Sequence, residues 1–331
     1  MNKKTKKLIL TIAKLSISLG IIAYIFTKQV DFKQFCGYIA GANPVWLLSG
    51  VLVFLITLTI GVARWQMLLN LHNIFIKFTR IIRIYCVGMF FNIFMLGITG
   101  GDVLKIYYVA KHNHKKRIES GMTVFIDRLF GIAGLIAVAF FAIILTGRNS
   151  KLSAVFWPII FSFVAMISGI ILIMNKKVIK KISFNGKLLK KLPAKDKLYD
   201  VYNSVCRYKA NPKKLVSIIA ISIGVHLLLA ILNYTLARAI GIEVIALKYY
   251  FVIVPVICFI SALPISVSGW GVGEALYVSL FGMFGVEPVK AVSLSIMIKL
   301  YYIIWGVLCG SAYVMPGLEH PKTLDEEKIL T

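Results

Sequence analysis

The sequence predicts an all-α polytopic membrane protein, and three observations carry that prediction. Of 331 residues, 59% are apolar and only 15% are charged, against roughly 45–50% and about 25% in soluble globular chains. Mean hydropathy is +0.84, and the apolar residues gather in runs long enough to cross a bilayer. The 38 Lys and Arg outnumber the 13 Asp and Glu, a formal charge of +25, yet they fall mostly between those runs. In a soluble chain such a charge would suggest nucleic acid; here it is read first as membrane topology. Disorder and collagen-like composition are excluded, and no nucleic-acid partner is expected.

Six apolar runs approach the roughly 20 residues that a helix needs to cross the hydrocarbon core: Leu8–Thr27, Val45–Ala63, Gly121–Leu145, Ala154–Met174, Leu215–Ala237 and Ala291–Met315. Two further stretches are interrupted. Ile84–Ala110 is broken by Gly97, Gly100 and Gly101, and Tyr249–Gly285 by Pro264, Gly269, Gly271 and Gly273. Glycine and proline weaken helix interiors, so each reads as a hairpin of two short helices around an irregular centre. The lysine-rich start places the N-terminus in the cytoplasm. A first hairpin that enters from the cytoplasm and returns there keeps His112–Arg117 on the basic side. The second then dips in from the opposite face, and both termini are cytoplasmic. With this assignment 28 of the 38 basic residues lie inside, 7 outside, and Lys14, Arg128 and Lys299 within the membrane. Two pairs of full spans would keep the same parity; length favours a re-entrant first hairpin and is neutral for the second.

Span, span, broken hairpin and span then recur upside down, which suggests two inverted repeats, 1–150 and 151–315, within one integral domain, 1–315. Ala63-Arg64 matches Ala237-Arg238, Gly101-Asp102 matches Gly273-Glu274, and Gly134 matches Gly306, at nearly constant offset. Paired broken helices in inverted repeats are a transporter design with the site between repeats. The basic segment 175–214 carries 13 Lys and Arg against Asp196 and Asp200. It reads as a cytoplasmic loop or as a surface for anionic head groups. The tail 316–331 is short and acidic.

Five scattered cysteines and five histidines give neither a disulfide framework nor metal spacing, so no metal or cofactor is expected. Gly269-Trp-Gly-Val-Gly273 looks like a nucleotide loop but has the wrong spacing and no βαβ setting. The informative residues are ionisable ones inside apolar segments, which are costly in hydrocarbon and mark a polar pathway or a buried pair. They are Asp102, Asp127, Arg128, Glu274 and Lys299, with Lys105 and Arg64 expected near a membrane interface. Each half offers one acid at a glycine break and one base on the next helix. These groups either hold the hairpins as structural pairs or bind a zwitterionic or anionic head group, the bases meeting phosphate.

The same residues carry a family resemblance. Arg64-Trp65, Asn92, Gly97-Ile-Thr-Gly-Gly-Asp102-Val-Leu-Lys105, Asp127-Arg128-Leu and Ser266-Val-Ser-Gly-Trp-Gly-Val-Gly-Glu274 resemble the lysylphosphatidylglycerol synthase transmembrane-region family, from about residue 8 to 315. The resemblance implies a lipid flippase-like membrane domain in the cytoplasmic membrane. In multiple peptide resistance factors that domain is fused to a soluble aminoacyltransferase. There it flips the lysylated lipid and so protects against antibiotic cationic peptides. Only 16 residues follow Met315, and neither they nor 175–214 supply such a catalytic domain, so no phosphatidylglycerol lysyltransferase chemistry is expected of this chain. Lys299 stands where the family often has Arg, which keeps the charge but removes bidentate phosphate binding.

The expected function is translocation of an anionic phospholipid or polyprenyl-phosphate head group, with Asp102, Arg128, Glu274 and Lys299 lining a central cavity. The alternative is a lipid-holding subunit for a separate aminoacyl- or glycosyltransferase. Self-association as a homo-oligomer is compatible with either.

Overall fold

The computed structural model describes residues 3–28, 30–94, 100–112, 117–147, 150–174, 211–263 and 265–314. Among them all regular structure is helical. The helices are α1 (Lys3–Lys28), α2 (Phe32–Ala40), α3 (Pro44–Leu71), α4 (Phe78–Phe94), α5 (Gly100–His112), α6 (Arg117–Thr146), α7 (Ser153–Met174), α8 (Pro212–Ala239), α9 (Leu247–Ser261), α10 (Val272–Gly282) and α11 (Pro288–Val314). A short 3₁₀ turn, Val267–Gly269, lies between α9 and α10.

Five helices, α3, α6, α7, α8 and α11, are long and apolar enough to cross a membrane, and the expected first span lies within the 26-residue α1. The four helices of the interrupted stretches have 17, 13, 15 and 11 residues. At 1.5 Å per residue these are about 26, 20, 23 and 17 Å long, each short of the roughly 30 Å core. The helices of both interrupted stretches are therefore shorter than the five long apolar ones, in the second stretch as in the first.

Several boundaries differ from those read in sequence. The second span runs on to Leu71, eight residues past its apolar run, because Arg64 finds a buried partner and need not end the helix. The first hairpin starts at Phe78 and the second at Leu247. α8 begins at Pro212, inside the basic segment 175–214, with proline at its first turn where a missing N–H costs nothing; residues 175–210, the tail 316–331 and Gly97 lie outside the described residues. α2 was not anticipated. Asp31 starts it, its carboxylate accepting from the amides of Lys33 (2.8 Å) and Gln34 (3.3 Å). Asn43 caps α3 in the same way through the Val45 amide at 2.9 Å.

Helices in lipid gain little from hydrophobic attraction, so close packing at small residues holds them together. Three contacts show this. Gly101 of α5 rests on Gly88 of α4 so closely that a Cβ would overlap the Gly88 carbonyl; Gly134 of α6 meets the Ser222 backbone of α8; Gly310 of α11 lies under the Phe90 ring of α4. Around them the largest cluster joins α8, α9, α10 and α11 through Leu232, Tyr250, Phe281 and Leu294, and Phe54 of α3 stacks on Trp305 of α11 at 5.3 Å. α3 packs along α8, α4 along α11, and α6 along both α8 and α9.

Candidate functional site

The glycine contact between α4 and α5 sets up the first polar cluster. With no side chain at Gly88 or Gly101 the two backbones touch, and the Gly101 amide donates to Asn92 Oδ1 at 2.9 Å. Asn92 thereby satisfies one of the orphan N–H groups at the α5 N-terminus. Asp102 sits in that first turn, where the helix dipole favours a carboxylate. Its Oδ2 accepts a hydrogen bond from Arg128 Nε of α6, and its Oδ1 lies 3.9 Å from Lys105 Nζ, one turn on. The Lys105 ammonium also lies 3.8 Å from the Tyr85 ring centroid and 5.6 Å from that of Trp65, a cation–π arrangement. Its stem runs over Gly88, where a Cβ would clash with it.

Lys105 is thus buried, with 9% of its surface exposed. The Arg128 side chain keeps 39% exposure against 11% for Asp102. One carboxylate meets two bases, a surplus of one positive charge among these three residues.

Asp127 goes elsewhere. It accepts from Arg64 Nε of α3 at 2.8 Å, and Arg64 Nη1 reaches Ser222 Oγ of α8 at 3.2 Å. Gly131, one turn past Asp127, leaves room for the guanidinium, and its carbonyl accepts from His226 Nε2 at 2.8 Å. Arg64 is 7% exposed and lies in the interior of α3, where it clamps α3, α6 and α8 together. Adjacent residues on a helix point about 100° apart, which is why Asp127 and Arg128 serve different partners.

The second hairpin builds its cluster differently. Ser268, Gly269 and Gly271 have φ of 50°, 75° and 82°, a left-handed stretch that glycine tolerates best. It turns the chain so that Glu274, in the first turn of α10, reaches back to the Gly271 amide through Oε2 at 2.7 Å. Oε1 accepts from Lys299 Nζ of α11 at 2.5 Å. Lys299 also donates to the Gly269 carbonyl at 3.3 Å and stands 4.2 Å from the Trp270 ring centroid. Gly273 keeps the way to Lys299 open, since a Cβ there would come within 3.4 Å of Nζ. α1 closes over the turn: Ser18 Oγ accepts from the Val267 amide at 3.1 Å, and Gly271 is packed against Ser18 and Ile21. The Glu274 side chain is 1% exposed.

Of the residues singled out in sequence, the structure joins Asp102, Lys105 and Arg128 in one cluster, Arg64 and Asp127 in a second, and Glu274 and Lys299 in a third. Tyr85, Gly88, Ser18, Ser222 and His226 were not singled out. An aromatic or hydroxyl in an apolar helix carries no signal without its partner, although Gly88 in mid-helix and His226 in an apolar run are visible as anomalies. No group of three or more His, Cys, Asp or Glu able to hold a metal occurs among the described residues.

The chain is similar to UPF0104 membrane protein MJ1595 of Methanocaldococcus jannaschii, with 23% identity covering 93% of this chain and 94% of that protein. Residues 11–310 match the family described as "Lysylphosphatidylglycerol synthase TM region". That match takes in every cluster above and nearly the whole chain. The protein belongs to the lysylphosphatidylglycerol synthase TM region family.

Proposed function

We propose that the protein binds the phosphate head group of a membrane lipid at the Asp102–Lys105–Arg128 cluster and carries it across the cytoplasmic membrane, the tails staying in the bilayer. One observation supports this reading above the others: two bases, Lys105 and Arg128, meet on one carboxylate inside the helical bundle, with Arg128 still part-exposed. An ionisable group within a membrane segment is costly and by default has a functional partner. Two bases gathered on one acid, one of them a part-exposed guanidinium, suit a phosphate, since charge-assisted hydrogen bonds to phosphate are among the strong ones. The lipid is an anionic phospholipid or a polyprenyl phosphate.

The two halves act as inverted repeats in this reading, with both termini in the cytoplasm. Helix packing supports it. Exchanging α3–α6 for α8–α11 turns the α4–α11 contact into the α9–α6 contact and maps α3–α8 onto itself. Rocking of one repeat against the other would expose the cluster to each side in turn.

Liposomes carrying the purified protein should translocate a head-group-labelled anionic lipid faster than empty liposomes, and Arg128→Ala should remove the gain. Equal rates with and without protein, across both lipid classes, would overturn the transport reading. Head-group binding without translocation would instead identify a lipid-holding subunit for a separate transferase.

A further inference from the structure

A second feature stands apart from the charged clusters. Between α6, α7 and α9 lies a cavity of about 270 Å³, just under the roughly 300–1,000 Å³ of typical ligand pockets. Leu135 and Ala139 of α6, Ala154 and Pro158 of α7, and Pro255 and Phe259 of α9 form most of its wall, and Ser162 is its single polar side chain. The walls on α6 and at Pro255 are buried, whereas Ala154 and Pro158 on the α7 rim are exposed. The cavity is therefore a groove, closed towards the bundle and open past α7.

The two prolines account for it. Each lies inside its helix, where it removes a backbone hydrogen bond and bends the axis. Both prolines line the cavity, across from Leu135 and Ala139 of α6. The topologically matching contact, α4 against α11, is filled instead: Phe90 covers Gly310 so tightly that a Cβ there would overlap its ring. The opening therefore belongs to one side of the molecule and is no general looseness of packing.

We propose that this groove is a binding site for one acyl chain of a bilayer phospholipid. α6 and α7 are both long and apolar enough to span the membrane, so the medium facing the α7 rim is hydrocarbon. An apolar slot of this size matches a stretch of one chain and excludes a head group, which would leave its polar atoms unpaired. The deep end adjoins the second hairpin. Ser261 follows the lining residue Ile260, and its Oγ and Lys299 Nζ come within 3.6 and 3.4 Å of the same point beside Gly273. A chain held here lies next to the second hairpin and its Glu274–Lys299 pair. The site goes beyond the head-group reading and does not depend on it.

Photolabelling tests this. The full-length protein is reconstituted with a phosphatidylglycerol bearing a diazirine midway along one acyl chain, irradiated, and the adducts mapped to residues. Adducts should concentrate on the groove walls relative to Leu48 and Leu52, exposed apolar residues of α3. Ser162→Trp, which adds bulk at the half-buried rim, should lower groove labelling to the α3 level, and Ser162→Ala should leave it unchanged. Arg128→Ala should also leave it unchanged, which separates this site from the transport reading. Groove labelling no higher than on α3 in the unaltered protein would mean annular lipid only. Preferential labelling by a polyprenyl-phosphate probe would assign the groove to another occupant. Either result overturns the proposal.

Discussion

The two glycine-broken hairpins carry the same pairing of acid and base but put it to different use. In the first, Asp102 serves both Arg128 and Lys105, and Arg128 remains 39% exposed. In the second, Glu274 serves Lys299 and the Gly271 amide, sits at 1% exposure, and is covered by α1. One cluster gathers two bases on one acid and keeps access, while the other sets one base against one acid and is closed. The same motif therefore makes a candidate binding site where two bases share an acid, and a latch where both carboxylate oxygens are already engaged.

That contrast can be broken by truncating the acid of the closed pair. Glu274→Ala leaves Lys299 facing only the Gly269 carbonyl and the Trp270 ring, and loss of one partner from a buried pair costs about 3–5 kcal/mol. Arg128→Ala, at a more exposed position, should cost about 1 kcal/mol or less. Thermal unfolding in detergent should show a far larger drop for Glu274→Ala; similar drops would mean that the first pair is also a latch.

A smaller effect is expected at the hairpin crossing. Gly101→Ala drives a Cβ into the Gly88 carbonyl, and such overpacking costs about 1–3 kcal/mol. It should also displace Asp102 from Arg128 and reduce lipid translocation by more than the loss of stability explains. A stable variant with full transport would show that the close crossing does not position the cluster.

The smallest effect concerns the cover on the second hairpin. Ser18→Ala removes the acceptor for the Val267 amide, worth about 0.5–1.5 kcal/mol. Hydrogen exchange at residues 265–271 should quicken while that of α5 stays unchanged. Equal protection in the variant would mean that α1 is not what closes the turn.

Much of this was legible in the chain itself. The helices follow from apolar runs, and the pairing of Asp102 with Arg128 and of Glu274 with Lys299 follows from an acid at a break and a base on the next span. Arg64 was less legible. It looked like the end of a span because charges usually end them, whereas here Asp127 and Ser222 satisfy it inside the bundle. α2 escaped because nine residues are too few for a membrane signal, although Asp31 and the spacing of Phe32, Phe35 and Ile39 mark an amphipathic helix start.

Sequence alone determined the membrane class, the breaks in two of the apolar stretches and the identity of the intramembrane charges, because hydropathy and backbone freedom are local properties. Tertiary structure decided which charges meet, which cluster gathers two bases on one acid and which stays exposed. It also decided that two prolines line a groove on one side while Phe90 on Gly310 fills the matching contact on the other. Those outcomes depend on the distance between helices far apart in the chain. That distance is set by where a missing side chain lets two backbones touch.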